Sequence, residues 1–141
     1  MTVTEAPAPP EERRRGAAAE TAVRVGGLVV AVAATVVTAA AELILTPLRV
    51  GGVPVGVAIL VAAVANWALA WFALTTTGRR WAMGVPWALW TLIMLFASGV
   101  RTTEGDYLLG GNDWVALVMI LVGSLSFAVF SYRAILRRGK L

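Results

Sequence analysis

Four stretches of the chain, residues 25–45, 53–74, 81–100 and 114–135, are apolar almost without a break, and the segments between them are short, polar and marked by Pro or Gly. At a helical rise of 1.5 Å, about 20 such residues cross a hydrocarbon core of about 30 Å. Each run therefore predicts a transmembrane helix. The connections TPLRVGGVP and TTTGRR suit antiparallel neighbours. Asn112 or Asp113 is placed to cap the last helix, just ahead of Trp114.

The flanks read differently. Residues 1–22 are rich in Pro, Ala and charge and poor in bulky apolar side chains, which predicts a disordered tail. Its Arg13, Arg14 and Arg15 are nearly balanced by Glu5, Glu11, Glu12 and Glu20. Residues 23–136 form the transmembrane domain, and residues 137–141 a short basic tail. Ala39, Ala40 and Ala41 before Glu42 imitate a signal-peptide cleavage site. The apolar run is too long for that, continues past the cut, and is followed by three more spans.

Composition agrees with a bilayer as solvent: 59% of the 141 residues are hydrophobic and 14% charged, with a mean hydropathy of +0.79. The chain holds no Cys and no His, which removes disulfides, thiolate or imidazole metal sites and any His base. The pI near 10.7 would suggest nucleic-acid binding only if the basic residues formed a stripe with interleaved aromatics. Instead they flank the apolar runs. With the first helix leaving the cytoplasm, ten lie inside (Arg13, Arg14, Arg15, Arg24, Arg79, Arg80, Arg133, Arg137, Arg138, Lys140) and two outside (Arg49, Arg101). That asymmetry predicts cytoplasmic termini. Trp81, Trp87 and Trp114 fall near helix ends as interfacial aromatics; Trp67, Trp71 and Trp90 fall deeper, between helices or against lipid. The fold expected is all-α: a polytopic membrane protein with four transmembrane helices in an up-down bundle and both termini in the cytoplasm.

Polar residues within the spans carry the remaining chemistry. Counting rise from the helix ends levels Thr38, Asn66, Thr91, Ser124 and Ser126 near the midplane, a candidate polar layer that is either a substrate or ion pathway or, as expected, a set of interhelical hydrogen bonds. Asn66 lies in Ala62-x-x-x-Asn66-x-x-x-Ala70, a narrow face that admits close helix approach and makes the second helix central. Glu42 is the one carboxylate within a span. Either it titrates and exchanges a proton for a cationic substrate, or it forms a structural ion pair with Arg49 or Arg101, and the ion pair is the expected state. Glu42, Glu104, Asp106 and Asp113 against Arg49 and Arg101 predict an outer polar cluster, with a turn at Gly105, Arg101 holding carboxylates, and Tyr107 and Leu108 covering helix ends. Glu104-Gly105-Asp106 lacks the spacing of a calcium loop. Acid/base work on an envelope lipid would have to use Glu104, Asp106, Tyr107, Arg49 and Arg101, and one short loop supplies little shell for it.

The segment RTTEGDYLLGGNDW resembles a family of small actinobacterial integral membrane proteins classed as a domain of unknown function. The likeness rests on Arg101, Glu104, Gly105, Asp106, Tyr107 and Leu108, on the PLRVGGVPVG connection and on the four-helix layout. It implies a genomic setting near mycothiol-biosynthesis genes and no catalytic residue. A second comparison is with the small multidrug-resistance transporters, which share four short helices and an essential carboxylate in the first. This chain departs from them in placing Glu42 near the outer end, in its long tail and in its decisive charge asymmetry. The expected function is thus a non-enzymatic accessory or scaffold subunit in the plasma membrane, without cofactor or metal. Its expected partners are membrane lipids and a protein partner or a second copy, with no nucleic acid. A small proton-coupled transporter using Glu42 is the alternative.

Overall fold

The computed structural model describes residues 10–101, Gly105, Leu109 and residues 114–137. Four helices make up almost all of it: α1 (Pro10–Leu45), α2 (Val57–Thr77), α3 (Gly84–Gly99) and α4 (Trp114–Arg137). All four spans are long and apolar enough to cross a membrane, with the 3₁₀ turn Arg80–Met83 extending that of α3. Between 22% and 33% of each apolar window is buried inside the bundle, so the remaining faces need an apolar solvent. Leu60, Val64, Leu95, Phe96 and Leu117 are among the large side chains turned outward. The protein is a multi-pass membrane protein.

The helix directions alternate. A Cβ built on Gly27 would lie 2.6 Å from Cβ of Thr76, so the start of α1's apolar run meets the end of α2, and the two are antiparallel. Trp67 and Phe130 meet in one groove with Thr75 and Arg137, which makes α2 and α4 parallel neighbours. Helix α2 packs most extensively, against both α1 and α4. Its buried face is Ala58, Ala62, Asn66, Leu69, Ala70, Ala73 and Thr77, so the narrow face expected around Asn66 is the face used. Small side chains there, with Ala31 and Ala39 of α1 also fully buried, let the backbones approach closely and supply packing contacts in place of a hydrophobic driving force.

Two elements differ from expectation. The first helix begins at Pro10, so residues 10–22 are helical where a disordered tail is expected; residues 1–9 lie outside the described residues. Ala, Glu and Arg are strong helix formers, Glu11 and Glu12 sit in the first turn, and Glu20 bridges Arg24 one turn on. Helix propensity, propagated from an already stable span, outweighs the lack of apolar surface. The second difference is a small hairpin, β1 (Arg49–Val50) and β2 (Val53–Pro54), paired antiparallel between α1 and α2. Gly51 and Gly52 take φ of 60° and 83°, the two positive values that a tight hairpin turn requires. Helix α2 consequently starts at Val57 rather than at residue 53, and after Thr77 it is capped by Gly78 in the left-handed conformation, with the Gly78 N–H on the Leu74 carbonyl.

A buried polar centre as the candidate functional site

Glu42 sits in the last turn of α1 and is fully buried. The indole Nε1 of Trp90, from α3, donates a hydrogen bond to Glu42 Oε2 at 2.7 Å. Among the described residues Glu42 Oε1 accepts none. The ion pair expected with Arg49 or Arg101 is therefore replaced by a neutral donor. The physical reason is placement: Arg49 is carried out on the exposed strand β1, Arg101 is exposed beyond α3, and Glu42 faces the interior of the bundle.

Trp90 is itself fully buried and joins the centre to the other two helices. A Cβ on Gly123 of α4 would lie 2.6 Å from Trp90 Cη2 and Cζ2, and 2.8 Å from Nδ2 of Asn66 on α2. Only the missing side chain at Gly123 admits the indole. Phe127, one turn on, flanks the same indole with ring centroids 6.2 Å apart. Each helix thus contributes one residue: Glu42, Asn66, Trp90 and Gly123.

Depth follows from helix counting. Asn66 lies nine residues after Val57, Gly123 nine after Trp114, and Trp90 nine before Gly99. All three are about 14 Å from the hairpin end of their helices, roughly half of a hydrocarbon core. Asn66 is fully buried, and neither its Oδ1 nor its Nδ2 has a hydrogen-bond partner among the described residues. Nearer the hairpin, the Thr46 hydroxyl donates to the Glu42 backbone carbonyl at 2.7 Å and lies 3.4 Å from Met119 Sδ.

The expected midplane layer is only partly assembled. Asn66 belongs to the centre, but the Thr38 hydroxyl donates to the Ala34 carbonyl and the Thr91 hydroxyl to the Trp87 carbonyl, each within its own helix. Such i to i−4 bonding satisfies a hydroxyl locally and leaves it nothing for a neighbouring helix. Ser124 and Ser126 are half-buried on either side of the face that Gly123 presents. Glu104, Asp106 and Tyr107 lie outside the described residues, while Gly105 has the positive φ of 90° that a turn there requires. The sequence pattern does not single out Trp90 or Gly123 as site residues; the available signal is a tryptophan at mid-depth in the third span and a lone carboxylate, Glu42, in the first.

Chemically the centre offers an open acceptor at Glu42, an acceptor and two donors at Asn66, and one engaged indole donor, all away from solvent. In a low-dielectric interior such groups hold a proton, exchange partners as helices shift, or fix helix register. Compared with protein-family models, with curated proteins and with solved structures, the chain finds no match.

Proposed function

We propose that the protein resides in the plasma membrane with both termini cytoplasmic and acts as a non-enzymatic accessory or scaffold subunit of a membrane assembly. The observation that carries this reading is the length of α1. Its 36 residues extend about 54 Å, some 24 Å more than a hydrocarbon core needs. Most of that excess, from Glu11 to Ala22, is exposed on every side and bears both signs of charge. A helix held out of the bundle in this way is suited to docking, and it provides the partner-binding element. The likeness of residues 101–108 to small actinobacterial membrane proteins agrees with the setting.

Ala18→Pro tests the reading in the full chain, because proline breaks a helix interior at a cost of about 3 kcal/mol and leaves the spans intact. In gently solubilised membranes the wild type is expected to migrate with a stoichiometric partner and the variant without it. A lone wild-type chain counts against an assembly role. Orientation is open to a clean assay because the chain has no cysteine. A cysteine at Ala18 should be shielded from an impermeant maleimide in intact cells and one at Gly51 labelled; the reverse pattern removes the assigned topology.

Proton-coupled transport is the second reading, favoured by the buried Glu42 carboxylate with one oxygen unengaged. It predicts that Glu42→Gln abolishes flux in proteoliposomes without unfolding the bundle. Flux equal to wild type in that variant eliminates it.

A further inference from the structure

Away from the buried centre, α2 and α4 line a groove of about 300 Å³ toward the end of the bundle where α2 and α4 finish. Trp67, Trp71 and Leu74 of α2 and Phe130 of α4 form its apolar wall, and Arg133 and Arg137 stand one helical turn apart along it. Trp67 meets Phe130 edge-on, with centroids 5.1 Å apart and planes at 81°. The guanidinium of Arg133 lies over the Trp67 ring, 5.7 Å from its centroid. Trp67 is ten residues before the end of α2 at Thr77, about 15 Å along the helix. Side chains on a helix lean toward its N-terminus, and the N-terminus of α4 lies at the far side of the bundle. Arg133 therefore leans into the apolar zone instead of reaching out of it.

A cation held there attracts an anion. The indole quadrupole draws the guanidinium but leaves its charge in place. Among the described residues no carboxylate lines the groove, and neither Arg133 nor Arg137 forms an ion pair. The groove runs from the end of α4 at Arg137 to about mid-depth, the reach of one leaflet. Two guanidinium forks, Arg137 at the mouth and Arg133 one turn further in, match phosphate oxygens, and the aromatic wall beside them matches an acyl chain. A second copy of the chain fits less well, because a two-fold contact here would bring the same arginines face to face.

We propose that this groove binds an anionic phospholipid, with the phosphate between Arg133 and Arg137 and an acyl chain laid along Trp67, Trp71, Leu74 and Phe130. Native mass spectrometry of the full chain in mild detergent, with dioleoyl phosphatidylglycerol and dioleoyl phosphatidylcholine, provides the test. The wild type is expected to retain the anionic lipid preferentially. Arg133→Gln with Arg137→Gln should erase that preference, each arginine being worth about fivefold. Arg79→Gln with Arg80→Gln, an equal charge change outside the groove, should preserve it. Equal retention of the two lipids by the wild type, or equal loss in both double variants, overturns the proposal. So does displacement of the lipid by millimolar inorganic phosphate, or a change of oligomeric state without a change in lipid preference. A measurement on the wild type alone guards against a misfolded variant: phosphatidylglycerol brominated on its chains should quench tryptophan fluorescence more than brominated phosphatidylcholine at equal mole fraction, and equal quenching refutes the site.

Discussion

The indole of Trp90 donates its N–H to Glu42 across 2.7 Å where neither side chain meets solvent. Removing the donor leaves the carboxyl group without a hydrogen-bond partner among the described side chains. Trp90→Phe is therefore expected to lower stability by about 1–3 kcal/mol, more than Glu42→Gln, whose amide oxygen still accepts the indole N–H. Unfolding by SDS titration in mixed micelles ranks the two. A Trp90→Phe protein as stable as wild type would show that the hydrogen bond contributes nothing.

Gly123 makes the space for that indole. Gly123→Ala places a methyl group 2.6 Å from Trp90 and 2.8 Å from the Asn66 amide, so one helix has to shift, at a cost of about 1–3 kcal/mol. Gly84→Ala, with nothing within 4 Å of its new methyl group, is the matched control and should be neutral. Melting temperatures in detergent distinguish them, and equal values would mean that the α3–α4 contact is loose.

Asn66 bears the opposite prediction. Its amide is buried with both polar atoms unengaged, a condition that costs about 1–3 kcal/mol per group. The near-isosteric Asn66→Leu should hold or raise stability. If the amide is retained for function, the same variant loses partner binding or flux while it gains stability, the trade-off expected at working sites. A destabilised Asn66→Leu would instead reveal a structural partner for the amide.

The hairpin supplies a fourth test. Gly51 and Gly52 both have positive φ, which costs a residue bearing Cβ about 1–2 kcal/mol. Gly52→Val should loosen the turn and accelerate amide exchange at residues 49–54, while Gly51→Asn, which tolerates that region, should leave exchange near wild type. Unchanged exchange in the valine variant would rule out a conformational requirement at the turn.

Much of the fold is legible in the sequence because lipid-facing helices are apolar over most of their circumference, and long apolar runs have one common solution in a bilayer. The same property hides the site. When polar and apolar faces do not alternate, the pattern leaves helix rotation open, and nothing in it says that Trp90 points inward while Trp71 points out at 55% exposure. Asn66 was recognisable because the alanines at 62 and 70 mark its face as a packing face. Gly123 was not, since a glycine in a span reads equally as a gap and as a slot. Glu42 stands out as a lone carboxylate in an apolar run, but charge alone points to an arginine as its partner, and the interior supplies an indole. The helical start at Pro10 is hidden for a different reason: apolar content measures burial, and residues 10–22 are ordered by propagation from the span behind them.

That continuity also has a geometric side. Helix α1 passes without a break from the charged segment at Glu11 to Glu42, the carboxyl group that accepts the N–H of Trp90. One uninterrupted helix therefore joins the exposed end of α1 to the buried centre, and it meets α2 on the way where Gly27 packs against Thr76.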